Sequence, residues 1–241
     1  MRARLKAYTQ ELFDKQGYTC NAANEIEGFL FKGRDAERRY YETRQFEFVN
    51  EGGYYHSLPG DPLRTFIDTV AEVQRAMGFA NEKDHPELRP RSSRSISTPR
   101  RRSPPTRSCS ISAICRQVAD RFDMTASFLL TGYGRERQRY ARNLSVSKGG
   151  KNIFYGTGAE GLGSAGLANI EQILTSANDI CLALNASVNA YRRLDPHFEA
   201  PNQIKASPVD RGSMVRIDRQ RGNRPASRCA SVGPDAKHST W

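Results

Sequence analysis

Four arginines and one glutamate fall between Ser187 and Ile217: Arg192, Arg193, Glu199, Arg211 and Arg216. Forked guanidinium N–H groups set in polar loops suit carboxylate or phosphate. The alternative is a solvated, charged loop, since charged residues are mostly exposed. Two further carboxylates, Glu25 and Glu27, lie in NEIEGFLF. On a strand they point to one side, because side chains alternate with period two. Such a pair repels itself unless solvent or a cation intervenes. It reads either as a solvated strand face or as an edge for a hard divalent cation. His85 and Glu87 in NEKDHPE form a pair that is weak evidence for a ligand set.

These residues need elements to position them. Residues 2–17 suggest a short helix with Leu5, Tyr8, Leu12 and Phe13 on one face, stopped by Gly17. AANEIEGFLFKG reads as a strand ending in a turn at Gly33, and QFEFV alternates like another. Turns follow at Glu51-Gly52-Gly53 and Leu58 to Pro62. Asp61 is placed to cap a helix that has Pro62 at its first position and runs to about Met77, closed by Gly78. Helical patterning returns at Ile114, and TASFLL is strand-like. LSVS-KGGK-NIFY is a hairpin around Gly149-Gly150. The apolar run Leu167 to Leu184 predicts one helix in the core. Gly156 to Gly161 matches GxGxxG. Its strand is already paired in the hairpin and so opens no βαβ unit, which favours a flexible loop before the helix over a dinucleotide site.

The chain has 241 residues, enough to bury a core. No apolar run approaches a membrane span. Five cysteines without a CxxC pair fit neither a disulfide framework nor a zinc site, and suggest a reducing cytoplasm. The net charge of +11 is concentrated. Segments 88–112, 132–143 and 217–230 hold fifteen arginines and two acids, a net +13, which leaves −2 for the rest. They lack interleaved aromatics and any recognisable nucleic-acid module, so no specific nucleic-acid partner is expected. Their Arg, Ser and Pro content carries no periodicity, and all three are expected to be disordered.

NEIEGFLF, GGYYHSLPGDP, NEKDHPE, NAYRRLDPHFEAP and RGSMVRI together resemble the catalytic domain of glutamine synthetase, most closely a bacterial subgroup that joins glutamate to ammonia or small amines. The resemblance covers most of residues 15–87, 114–130, 143–217 and 231–236. It implies an α+β fold, a mainly antiparallel sheet with helices packed outside. It implies ATP and Mg²⁺ (or Mn²⁺), phosphorylation of the γ-carboxylate of glutamate, and displacement of phosphate by ammonia or a small amine. Glu25, Glu27 and Glu87 would be metal ligands. Arg193 would hold the glutamate α-carboxylate. Glu199 would cover the site and take a proton from ammonium. Arg211 and Arg216 would stabilise the transferring phosphoryl group. Glu82, Asn143 and Ser145 fall at nucleotide-contacting positions.

The chain also departs from that pattern. Family members continue after HPE with a VAPSQFE-like motif whose glutamate is a metal ligand; Arg94 stands at that spacing. A Gly-rich run with a metal-binding histidine is replaced by GYGRERQRYAR. Arg228 and Ala230 stand where a VEVR-like strand has its metal-binding glutamate and substrate-binding arginine. Three of six expected metal ligands are lost. The segments keep nearly the family length, as compensating frame shifts in GC-rich coding sequence would leave them. A partial catalytic domain of impaired activity is therefore expected. The family's amino-terminal domain, which completes a neighbouring subunit's site in an oligomer, is not represented.

Overall fold

The computed structural model describes residues 2–49, 60–79, 81–86, 92–97, 106–128, 140–185, 191, 201–210, 212–217 and 227–228. At 2, 23–25, 81–86, 92–97, 106–109, 140–142, 182–184 and 227–228 it describes backbone alone. The expected turn at 51–53 lies outside these residues.

Helix α1 spans Arg2–Gln16, ended by Gly17 at φ +71°. Its expected apolar face forms but is not covered, since Leu5, Tyr8 and Phe13 are all exposed. Strand β1, Tyr18–Lys32, runs four residues further toward the N-terminus than its apolar pattern, and Gly33 turns the chain at φ +81°. Helix α2, Ala36–Thr43, was not evident in the sequence; the side chain of Asp35 at its N-cap makes no capping hydrogen bond and pairs instead with Arg39 at 3.0 Å. QFEFV forms an isolated bridge from Phe48 to Phe31 instead of a strand.

Helix α3 spans Pro62–Ala76, and Asp61 Oδ1 accepts from the Leu63 N–H at 2.9 Å. Asp61→Ala is expected to cost about 1 kcal/mol of stability in urea denaturation, the usual worth of an N-cap. Strands β2 (Asn81–Pro86) and β3 (Ser92–Ser97) pair antiparallel, with Arg94 opposite His85. Helix α4 spans Thr106–Arg121, and strand β4, Met124–Ser127, pairs antiparallel with Phe29–Lys32 of β1. Segment 88–112 thus contains a strand and the start of a helix, where disorder was expected. A ladder bonds backbone to backbone, so Arg and Ser do not exclude it.

Strand β5 spans Tyr140–Lys148 and turns through Gly149 and Gly150, both at positive φ, into β6, Lys151–Asn152, with which it pairs antiparallel. The left-handed pair is what a two-residue hairpin turn demands. The predicted core helix is two, α5 (Ser164–Thr175) and α6 (Ala177–Leu184), broken at Ser176. Strands β7 (Gln203–Ser207) and β8 (Ser213–Ile217) pair parallel, and β9, Ser227–Arg228, pairs antiparallel with both β8 and β5. The β7–β8 pair is parallel, whereas the pairs β1–β4, β2–β3, β5–β6, β5–β9 and β8–β9 are antiparallel, as suits an α+β fold. No helix among the described residues is long and apolar enough to cross a membrane.

The chain divides into two compact units. One comprises residues 1–24, 99–105 and 140–241, the other 25–98 and 106–139. In the first, Leu162, Ile170, Ala177, Met214, Val215 and Ile217 form a buried cluster under α5 and α6. In the second, Phe29, Phe31 and Ala36 are buried with Phe46 and Phe48 against them.

Candidate active site

In the second unit, Glu27 is 5% exposed on β1. A buried carboxylate is costly unless paired or coordinated, which removes the solvated-face reading at this position. Glu25 precedes it by two residues on the same strand, and Glu82 lies on β2. Glu87 lies outside the described residues, as do Arg193, Glu199 and Arg211 of the first unit. Among the described residues no three His, Cys, Asp or Glu groups cluster tightly enough to hold a metal ion.

In the first unit three expected site residues come together. Leu144 of β5 and Ile217 of β8 are both Cα partners of Ser227 in β9. Both pack into the same core cluster. Their neighbours Asn143, Ser145 and Arg216 therefore take the opposite face, one strand spacing either side of β9, or about 9–10 Å from β5 to β8. All three are partly buried. Asn21 of β1 joins this polar stretch, its Nδ2 donating to Ser145 Oγ at 3.5 Å and Ser147 Oγ at 3.3 Å. The sequence reading missed Asn21, although period-two alternation within β1 could have flagged it.

Strand β8 is almost wholly buried, and its connection to β7 is tied by side chains. Lys205 Nζ meets Asp210 Oδ2 at 2.6 Å, and Asp210 Oδ1 accepts from the Gly212 N–H at 2.7 Å. The Lys205 hydrogen bond, then the Gly212 N–H, hold the Asp210 carboxyl below its ordinary pKa. It therefore stays ionised until well into acid. Ser213 Oγ is fully buried and has no hydrogen-bond partner among the described residues. Ser213→Ala should remove that orphaned hydroxyl and raise stability by about 1 kcal/mol in denaturant titration.

The Gly156–Gly161 loop is closed on itself. The Gly156 N–H donates to the Gly161 carbonyl at 3.0 Å, and the Gly158 N–H to the Leu162 carbonyl at 3.0 Å. A side chain at Gly156 would strike the backbone of Gly163. These glycines serve backbone packing in a hydrogen-bonded loop with a 3-10 turn at Ala159–Gly161, where a flexible loop was expected.

The family model for the glutamine synthetase catalytic domain matches residues 1–238. The chain belongs to the glutamine synthetase catalytic-domain family. It is similar to the glutamine synthetase of Pyrococcus woesei, 29% identical over 224 residues, which cover 90% of this chain and 47% of that protein. It is 28% identical to the glutamine synthetase of Vibrio cholerae over 219 residues, 86% of this chain and 45% of that one. The cryo-EM structure of Plasmodium falciparum glutamine synthetase superposes with a TM-score of 0.76 at 17% identity, covering 97% of this chain and 52% of that chain, a likeness of fold. The chain spans about half the length of these relatives.

Measured against the family's need for a divalent cation, Glu27 is a suitable hard donor on a buried strand. Arg94, on β3 opposite His85, is not, because a guanidinium has no lone pair to give.

Proposed function

We propose that this chain derives from a glutamine synthetase-type ligase, built to join ammonia or a small amine to the γ-carboxylate of glutamate through γ-glutamyl phosphate at the expense of ATP, and that its own activity is severely impaired. The observation that carries the first half is the shared rung at Ser227, which puts Asn143, Ser145 and Arg216 on one face of adjoining strands. Arginine and amide donors on a rigid ladder suit a polyphosphate. Glu82 would add to the nucleotide site.

On this proposal Arg211 and Arg216 face the transferring phosphoryl group, where fixed positive charge stabilises developing negative charge. Arg193 pairs with the glutamate α-carboxylate. Glu199 closes over the site, takes a proton from ammonium and excludes water that would hydrolyse the acyl phosphate. Mg²⁺ or Mn²⁺ held by Glu25, Glu27 and Glu87 would supply charge neutralisation to the phosphates. The second half rests on Arg94 and on Arg228, cations at positions where the family pattern supplies carboxylate. ATP-dependent formation of γ-glutamyl hydroxamate by the purified chain tests the proposal.

One observation favours a second reading, a non-catalytic subunit that joins intact homologues. Leu5, Tyr8 and Phe13 of α1 are 53%, 58% and 43% exposed, an apolar helix face that suits a partner. Co-purification with a full-length homologue, lost on Leu5→Ser and Tyr8→Ser, supports it; failure to co-purify rejects it.

A further inference from the structure

Parallel strands are ordinarily joined by a crossover of a dozen or more residues. Strands β7 and β8 are parallel, yet only residues 208–212 separate them. So tight a return has to be held. Ser207 Oγ accepts from the N–H groups of Val209 at 3.2 Å and Asp210 at 3.0 Å. Asp210 then bonds in three directions: its carboxylate takes Lys205 Nζ and the Gly212 N–H, and its carbonyl accepts from the Ser213 N–H at 3.3 Å. The Gly212 carbonyl accepts from Asn202 and Gln203 at 3.0 and 3.1 Å, closing the loop onto the start of β7. There is no slack at Gly212, where a Cβ would stand 3.2 Å from Asp210 Oδ1 and 3.3 Å from Asn202 Oδ1.

The register of β8 follows from this loop, and with it the place of Arg216, paired with Ser207 on one side and Arg228 on the other. We infer that Asp210, tied to Lys205, is a positioning residue for the phosphate-facing Arg216: it fixes the register of β8 and never touches the nucleotide itself. The inference rests on the ATP-binding role proposed for Arg216. An exposed ion pair alone adds little. What fixes the turn is the acceptor that Asp210 gives to the Gly212 N–H.

The test is a double-mutant cycle on Mg-ATP affinity, measured by calorimetry on the full chain, with circular dichroism as a check on folding. Arg216→Gln and Asp210→Ala are each expected to weaken binding about 10-fold, as loss of a charge-assisted contact would, and the double variant no further. Asp210→Asn keeps an acceptor for Gly212 and is expected to recover most of the affinity, which guards against Asp210→Ala simply failing to fold. Weakening by Arg216→Gln alone, with Asp210→Ala at wild-type affinity, or strictly additive losses, would overturn the inference while leaving the ATP reading intact. No effect of Arg216→Gln overturns both.

Discussion

Purified protein supplied with ATP, Mg²⁺, glutamate and hydroxylamine is expected to form γ-glutamyl hydroxamate at least about 10³-fold more slowly than a full-length relative. The reason is charge. The proposed cation site has Glu27 buried on β1, but the adjoining hairpin carries Arg94 on β3. A guanidinium standing in for a carboxylate beside a divalent ion, at an intermediate dielectric, costs several kcal/mol, the order of the about 4 kcal/mol that a thousandfold loss of rate corresponds to. Arg228, the Cα partner of Arg216 on the β8–β9 ladder, stands where the family pattern has a carboxylate. Turnover at the level of an intact relative would sink the argument. The family match spans residues 1–238, with the three arginine-rich segments inside its bounds; compensating frame shifts are the proposed origin of those segments. Nucleotide sequencing over residues 87–145 and 217–241 decides that point: confirmed codons with no family-like alternative frame reject it.

Phe31→Ala is expected to cost about 3–5 kcal/mol, the usual range for emptying a large aromatic site. Phe31 is 1% exposed, and its ring lies 4.4 Å from Phe46 and 5.1 Å from Phe48, centroid to centroid. Phe29 completes the group at 6.2 Å. Each such ring pair adds about 0.5–1.5 kcal/mol beyond burial. Because these rings anchor the second half of β1, the loss should also loosen the strand that carries Glu27. Urea titration followed by circular dichroism reads it. A shift under about 1 kcal/mol would mean that the aromatic group is not what holds this unit.

Much of this was legible where a side chain dictates a local geometry. Asp61-Pro62 announced α3, and Gly149-Gly150 announced the β5–β6 hairpin. AANEIEGFLFKG read as a strand from its own pattern, but its glutamates fitted a solvated face as well as a cation edge, so the burial of Glu27 was not legible. What stayed hidden had non-local causes. Helix α2 has no capping hydrogen bond and a polar sequence, so nothing in AERRYYET marks it. Strand β3, SSRSIS, has one apolar residue, Ile96, and pairs with β2 through backbone bonds. The break at Ser176 interrupts an apolar pattern that runs on unbroken. The parallel pairing of β7 and β8 is set by hydrogen bonds of Ser207, Asp210 and Gly212 that no periodicity records. Of the proposed site, residue identities were readable, while the shared rung at Ser227 was not, since one short strand in an arginine-rich segment creates it.

The Gly156–Gly163 loop has a consequence for mutational scanning. Its glycines sit where the chain passes against itself, so a saturation library should show intolerance there in the pattern of a phosphate-binding loop. The depleted variants would be sorted out by proteolysis or heat rather than by nucleotide affinity. In this fold a glycine fingerprint can record a chain crossing, and the two origins separate as soon as selection is run for folding alone.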